Sequence, residues 1–393
     1  MCQKSRPGKC HLTIIMLLVT IVSLSIRYLG KDYMSGDYRS CLSIWYNQIK
    51  NAGPGLSALL AYEGDYALPY AFLLWILCKL PVSPLYGIKF ISVLFDFLLA
   101  VGAAKLIEYL CPSSGRNACI GYCVVLLLPT VFINSAYWGQ ADAIYSSFCV
   151  WAVYELARRR YPVMMIFFGL AFAFKLQSIF CLPFLLLYYW IEKRFSVLQF
   201  LIIPGTMILA NMPAVLGGYP PLIALQRMFF QVGGRPYMYY YYPNFWFFYQ
   251  LPTNVYYRFN IGAILLAVCV LLLFVVYLIR KNIHITQANF LPMLIWTSYS
   301  CAFFLPSMHE RYGFISEIFA VIWAIKNPRR STYPFFMIMS VLPFYLWALD
   351  LTNNPLWLQA LSAVMNCCCY FALTITFWKI LKNGEDGVAN ASN

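Results

Sequence analysis

Apolar runs recur along the whole of this 393-residue chain, each parted from the next by a short polar or basic stretch. A chain so patterned has too little polar surface to wrap one water-soluble core: 62% of it is hydrophobic and 11% charged, where soluble domains carry about 25% charge. The reading is all-α, a polytopic helical membrane protein, because a backbone in lipid must satisfy its own hydrogen bonds. The net charge of +14 invites a nucleic-acid reading. The bases sit in short clusters between apolar spans, however, which is the positive-inside pattern. Membrane lipids are the expected partners, and nucleic acid is not.

Charge sets the orientation. Lys4, Arg6 and Lys9 put the N-terminus in the cytoplasm, and the run from Leu12 ends at Arg27 without a small-residue cleavage site, so it reads as an uncleaved anchor helix. Arg158–Arg160, Lys193-Arg194, Arg280-Lys281, Lys326 with Arg329-Arg330, and Lys379 with Lys382 mark further cytoplasmic positions. Ala67–Leu80 is then too short to cross, about 21 Å as a helix against a core of about 30 Å, and is expected to dip into or lie on the outer face. Ile88–Leu110 crosses inward. The expectation is about 12 transmembrane helices, both termini cytoplasmic, and a first external loop with a short interfacial helix. One domain covers 1–383, and 384–393 form a disordered cytoplasmic tail in which the sequon at Asn390 is silent. The short apolar segments Pro162–Phe174 and Ile179–Ile191 would sink their link, Lys175-Leu176-Gln177, into a cavity.

The 14 cysteines form no metal-ligand spacing and read as small buried hydrophobes. The three histidines are scattered, and no metal or other cofactor is assigned, with a divalent cation bridging a phosphate and the acids as the alternative. The external loop 217–260 holds the run Tyr237-Met238-Tyr239-Tyr240-Tyr241-Tyr242. An interfacial belt is the first reading of such a run, and a platform for sugar rings or a lipid chain is the functional alternative.

Seven of the 14 acids fall outside on this topology: Asp32, Asp37, Glu63, Asp65, Asp142, Glu310 and Asp350. Four helix-end segments carry the notable polar groups: Gly36-Asp37-Tyr38, Trp138 to Asp142, Lys175 to Gln177, and His309 to Tyr312. Ionisable groups beside or within the membrane are functional suspects. An acid there activates a hydroxyl, Lys175, Arg311 and His309 suit a phosphate, and Trp138 and Gln140 suit a sugar by stacking and hydrogen bonding. Each residue also has a plainer reading. Asp37 is a solvated loop acid, Trp138 a belt residue, Lys175 a snorkelling lysine, and His309-Glu310-Arg311 a salt-bridge cluster. Asp96, inside its span, is expected to pair with a base on a neighbouring helix. Together the four segments point to transfer from a lipid-phosphate sugar.

Residues Ser135 to Asp142 resemble the WGQxD motif of bacterial integral-membrane mannosyltransferases of the GT-C superfamily, relatives of the second mannosyltransferase of GPI-anchor synthesis. Phe174 to Gln177 and Met308 to Tyr312 look like two more of their motifs. Asp65-Tyr66 with Pro69-Tyr70 is similar to a fourth, with Leu68 where a first proline is usual, and Asp37 falls at the family's acid after the first helix. The likeness covers roughly 12–330. It implies a GT-C-like fold in a bacterial plasma membrane and an extracytoplasmic site. It also implies a polyprenyl-phosphate sugar donor, mannose by the likeness, and a glycan, lipid or protein acceptor, with inversion at the sugar. Asp37 is the implied catalytic base. Asp65, Trp138, Gln140, Asp142, Lys175, Gln177, His309, Glu310 and Arg311 are the candidate substrate-binding residues. The rival reading is a transporter or flippase of a lipid-linked sugar, which would use a similar polar cavity.

Overall fold

Helix is the only regular structure among the described residues, as a backbone in lipid requires. The computed structural model describes residues 9–112, 115–227, 229, 236–249 and 253–389. Lys4 and Arg6, the Gly233-Gly234 pair of the large loop and the sequon at Asn390 lie outside the described residues. By their contacts the residues group into two compact units, Met1–Ser178 with Val197–Gly234, and Ile179–Ser196 with Arg235–Asn393.

The first unit opens with α1 (Lys9–Leu29), α2 (Ser43–Asn51), α3 (Leu68–Leu77), α4 (Pro84–Leu110), α5 (Arg116–Leu127), α6 (Pro129–Phe132), α7 (Asp142–Ala157) and α8 (Tyr161–Phe174). The next helix, α9 (Leu182–Glu192), belongs to the second unit. The first is completed by α10 (Ile202–Leu216) and α11 (Pro221–Gln226). Helix α7 is packed between α4 and α8, α5 lies on α4, and α10 lies on α8. Proline marks several of these starts, including α4 and α8, because its missing N–H falls where no helical partner exists. Between α5 and α6 the same chemistry makes a corner. Pro129 offers no N–H and holds Leu128 extended, at φ −62° and ψ 128°. The two apolar helices it joins, Arg116–Leu127 and Pro129–Trp138, meet at 50°.

The second unit comprises α9, α12 (Thr253–Arg280), α13 (Phe290–Phe304), α14 (Phe314–Lys326), α15 (Thr332–Ala348) and α16 (Leu356–Ala389). Helix α16 runs past Gly384, where the sequence placed the start of a disordered tail; residues 390–393 lie outside the described residues. Asn366 of α16 ties this unit together. It donates to the carbonyl of Pro243 (2.8 Å) and accepts from Tyr299 of α13 (2.5 Å) and Ser340 of α15 (3.2 Å).

Among the described residues five helices are long and apolar enough to cross a membrane, or six if the bent pair counts as one span. They are consistent with the expected helical membrane protein, but the dozen apolar runs are not all of spanning length. Ala67–Leu80 contracts to the 10-residue α3, about 15 Å and too short to cross. Other runs become short helices that are almost wholly enclosed. All of α13 except Phe304 is buried, whereas only 11% of the first span's apolar window is.

Candidate active site

The chain leaving α1 is fastened before it reaches Asp37. Lys89, from α4 and 5% exposed, donates its Nζ to the carbonyls of Gly30 (2.6 Å), Lys31 (3.3 Å) and Tyr33 (2.6 Å). Carbonyls at a helix C-terminus have no partner within the helix, and a buried ammonium with three donors supplies one. Ser35 then donates to the carbonyl of Trp138 (2.9 Å) and accepts from the Tyr38 amide (3.1 Å). Two links therefore fix the segment carrying Asp37, one to α4 and one to the turn after α6.

That turn is a π-helical stretch, Ile133–Trp138, ended by Gly139 at φ +78°. A side chain at this φ is strained, and glycine is not. The reversal brings two donors onto one oxygen of Asp37: Trp138 Nε1 at 3.0 Å and Gln140 Nε2 at 2.5 Å, both to Oδ2. Trp138 and Gln140 are buried, and Asp37 is half-buried. Gln140 is also held from its other end, accepting from Tyr66 Oη at 2.6 Å. Gly30 permits the same closure from α1, because a Cβ there would lie 2.8 Å from the Tyr137 ring.

Behind this carboxylate lies a buried ion pair. Lys175 Nζ donates to Asp142 Oδ1 at 2.6 Å, and Asn134 Nδ2 donates to Asp142 Oδ2 at 3.1 Å. The ammonium also stands 5.4 Å from the centre of the Tyr66 ring and 5.8 Å from that of Tyr145, a favourable approach to the ring faces. Asp142 opens α7, where the helix dipole favours a negative charge. Tyr66 thus joins the Gln140–Asp37 cluster to the Lys175–Asp142 pair. Gln177, two residues on, is buried, and its Oε1 has no hydrogen-bond partner among the described residues. Asp65 is exposed on the loop beside Tyr66. That loop is held by Arg227 Nη2, which donates to the carbonyls of Tyr62 (2.8 Å) and Gly64 (3.1 Å).

Deeper in the first unit, Asp96 has the basic partner expected of it. Arg27 of α1 donates to Asp96 Oδ2 from Nη2 (2.8 Å) and Nε (3.0 Å), and to the Leu126 carbonyl from Nη1 (3.1 Å). Ser135 donates to the same Asp96 oxygen at 2.5 Å. This pair ties α1, α4 and α5 to the turn that displays Trp138.

The fourth segment lies in the second unit. Glu310 and Arg311 are buried between α13 and α14 and bonded to each other, Nη1 to Oε1 at 2.6 Å, with His309 Nδ1 3.7 Å from Oε2. Burial pushes the Glu310 carboxyl up, but Arg311 and His309 outweigh it and hold it down at about 2. The Tyr240 ring sits edge-on to His309 at 4.6 Å. Gly313 closes the segment against Tyr242, where any side chain would collide with the phenol.

The structure therefore brings together Asp37, Trp138, Gln140, Asp142 and Lys175. Asp65 and Gln177 flank them, and His309, Glu310 and Arg311 form a separate cluster within the second unit. Sequence reasoning missed Lys89, Tyr66, Ser35 and Asn134 as members of the site's framework. Lys89 did carry a signal, a lysine inside an apolar run. No family model matches the chain, and neither does any curated protein sequence.

Proposed function

We propose that this protein is a membrane-embedded hexosyltransferase. It moves a hexose, mannose by the resemblance, from a polyprenyl-phosphate donor to an acceptor hydroxyl on the extracytoplasmic side, with both termini in the cytoplasm. The observation that carries this reading is the half-exposed carboxylate of Asp37, held through one oxygen by the buried donors Trp138 and Gln140. No described residue donates to its Oδ1, and the site's geometry suits a general base.

In the reaction the acceptor oxygen attacks the anomeric carbon from the face opposite the phosphate. The C–O bond to phosphate breaks, its electron pair leaves with the polyprenyl phosphate, and the acceptor proton passes to Asp37. Inversion follows from the single displacement. Gln140 is engaged at both ends and Asp142 by Lys175 and Asn134, an arrangement that favours positioning over direct sugar contact. Tyr66 and Lys175 connect the two clusters, so that Asp37 is set by the whole network. The resemblance adds His309 and Arg311 as groups for the lipid phosphate.

The test is to incubate purified protein with defined polyprenyl-phosphate hexoses and a panel of acceptors. One hexose is expected to be consumed with release of polyprenyl phosphate, and Asp37→Asn to slow this by at least about 100-fold. Translocation of the lipid-linked sugar without transfer would replace this reading with the transporter.

A further inference from the structure

The tyrosine run of the second unit is not arranged as a belt. Tyr237 stacks on Tyr240 at 5.7 Å, with 23° between the rings, and Tyr240 meets His309 edge-on. Tyr241 lies 4.5 Å from Trp347 at the end of α15. The side chains of an interfacial belt stand outward, side by side, toward headgroups. Here the rings are gathered on one another, Tyr240 and Tyr241 half-buried and Tyr237 exposed, and pinned from behind. The amide of Ser307 donates to the Met238 carbonyl (3.0 Å), its hydroxyl donates to the Tyr237 carbonyl (2.8 Å), and the Tyr242 amide donates to the Met308 carbonyl (3.0 Å).

The backbone is strained to achieve this. Tyr241 (φ +68°) and Ser307 (+60°) adopt the left-handed region. Elsewhere in this unit Lys193, Asn282 and Asp350 do so just beyond helix C-termini, where such a turn is ordinary. Tyr241 follows no helix, and a bulky side chain at positive φ is an outlier. Strain of this kind persists where surrounding structure enforces it, and it concentrates at ligand clamps.

Polar groups border the rings. Tyr239 donates its hydroxyl to Gln359 (3.3 Å), and Gln359 donates to the Asn354 carbonyl (2.9 Å). The side-chain amide of Asn354 is buried at both its oxygen and its nitrogen, with no hydrogen-bond partner for either among the described residues.

Aromatic faces with an amide beside them, Gln359 at the Tyr239 hydroxyl, fit a ligand with an apolar C–H face and a rim of hydroxyls. We propose that Tyr240, Tyr241 and Trp347 form a binding platform for a pyranose ring of the sugar substrate. The inference rests on the hexosyltransferase reading and specifies where a sugar is held.

The test uses the full chain in detergent and saturation-transfer NMR with methyl α-mannopyranoside and methyl β-glucopyranoside. At least one should receive magnetisation at its ring protons, and the signal should survive Asp37→Asn, which disables transfer alone. Tyr241→Gly removes the ring while relieving the left-handed strain, so it folds; with Tyr240→Leu it should weaken the signal about fivefold, whereas Tyr240→Phe keeps it. In the transfer assay, the same losses should raise the KM of whichever substrate brings the ring, acceptor or donor, and leave kcat nearly unchanged. Retained signal in Tyr241→Gly with Tyr240→Leu overturns the platform, as does displacement by a polyprenol with no pyranoside binding. Transfer by a protein that binds neither pyranoside sinks the platform and leaves the enzyme standing. Pyranoside binding with no transfer from any donor does the reverse.

Discussion

At the scale of single residues, two side chains set the first unit's carboxylate, and each has a different failure. Gln140→Leu removes the 2.5 Å donor to Asp37 and leaves the Tyr66 hydroxyl without its acceptor. A buried hydrogen bond to a charged group contributes about 1.5–3 kcal/mol, so transfer is expected to fall roughly 10- to 100-fold, read as kcat with the donor saturating. Lys89→Met keeps the volume of the side chain but removes the buried donor shared by the carbonyls of Gly30, Lys31 and Tyr33. That should destabilise the protein by about 3 kcal/mol or more, measured by thermal unfolding in detergent, with Lys89→Arg recovering part of the loss. In the second unit the sign runs through pH. Folding holds the Glu310 carboxyl at about 2, below its ordinary 4.5, because Arg311 and His309 outweigh its burial. The ionised form is therefore favoured by the fold. Its contribution, of order 3 kcal/mol, is present above pH 4.5 and is lost as pH falls toward 2. Unfolding of wild type and Glu310→Gln at pH 6 and pH 3 checks this. The stability advantage of wild type should shrink at the lower pH, and an advantage that grows there refutes it.

At the scale of elements, the decisive piece is the bend between α5 and the π-helical turn. Pro129 announces the break in the sequence, and Gly139 the reversal after Trp138. What stayed hidden is that Ser135, inside this turn, is held by Asp96 and through it by Arg27. The acid's need for a basic partner was legible as one charge inside an apolar run; which base answers it depends on how α1 and α4 cross, and hydropathy does not encode crossing. The same limit explains Lys89 and Asn134, whose partners are backbone carbonyls or side chains that only the packed helices bring near. Trp138, Gln140, Asp142 and Lys175 were legible because each stands at a helix end, where polar residues break an apolar pattern. Asp96→Asn leaves the Arg27 guanidinium buried and uncompensated, and it should destabilise by about 3–5 kcal/mol. Arg27→Met together with Asp96→Leu should recover most of that, because an apolar pair of similar volume can replace a buried ion pair. If the double change is as destabilised as the single, the pair does more than neutralise itself.

At the scale of the whole molecule, hydropathy found the apolar helices, among which the described residues hold five of spanning length, or six with the bent pair, beside several shorter ones. An apolar run looks the same whether lipid or protein surrounds it. The short helix α13 is enclosed on nearly every side, whereas the first span's long helix is almost bare. Orientation is a separate matter, because it rests on charge rather than on length. The basic turns fall at helix ends. Arg158–Arg160 follows α7, Lys193-Arg194 follows α9 and Arg280-Lys281 closes α12, where cations also suit the helix C-terminal dipole. A lysine or arginine near a helix centre costs about 2.5–3.5 kcal/mol to insert, so clusters of two or three resist translocation strongly. A phosphatase active only outside the cell, fused after Glu63, should therefore be active. Fusions after Arg160, Lys281 or Asn393 should be silent. Activity after Arg160 with silence after Glu63 would invert the chain and turn Asp37 toward the cytoplasm, where an extracytoplasmic transfer cannot use it.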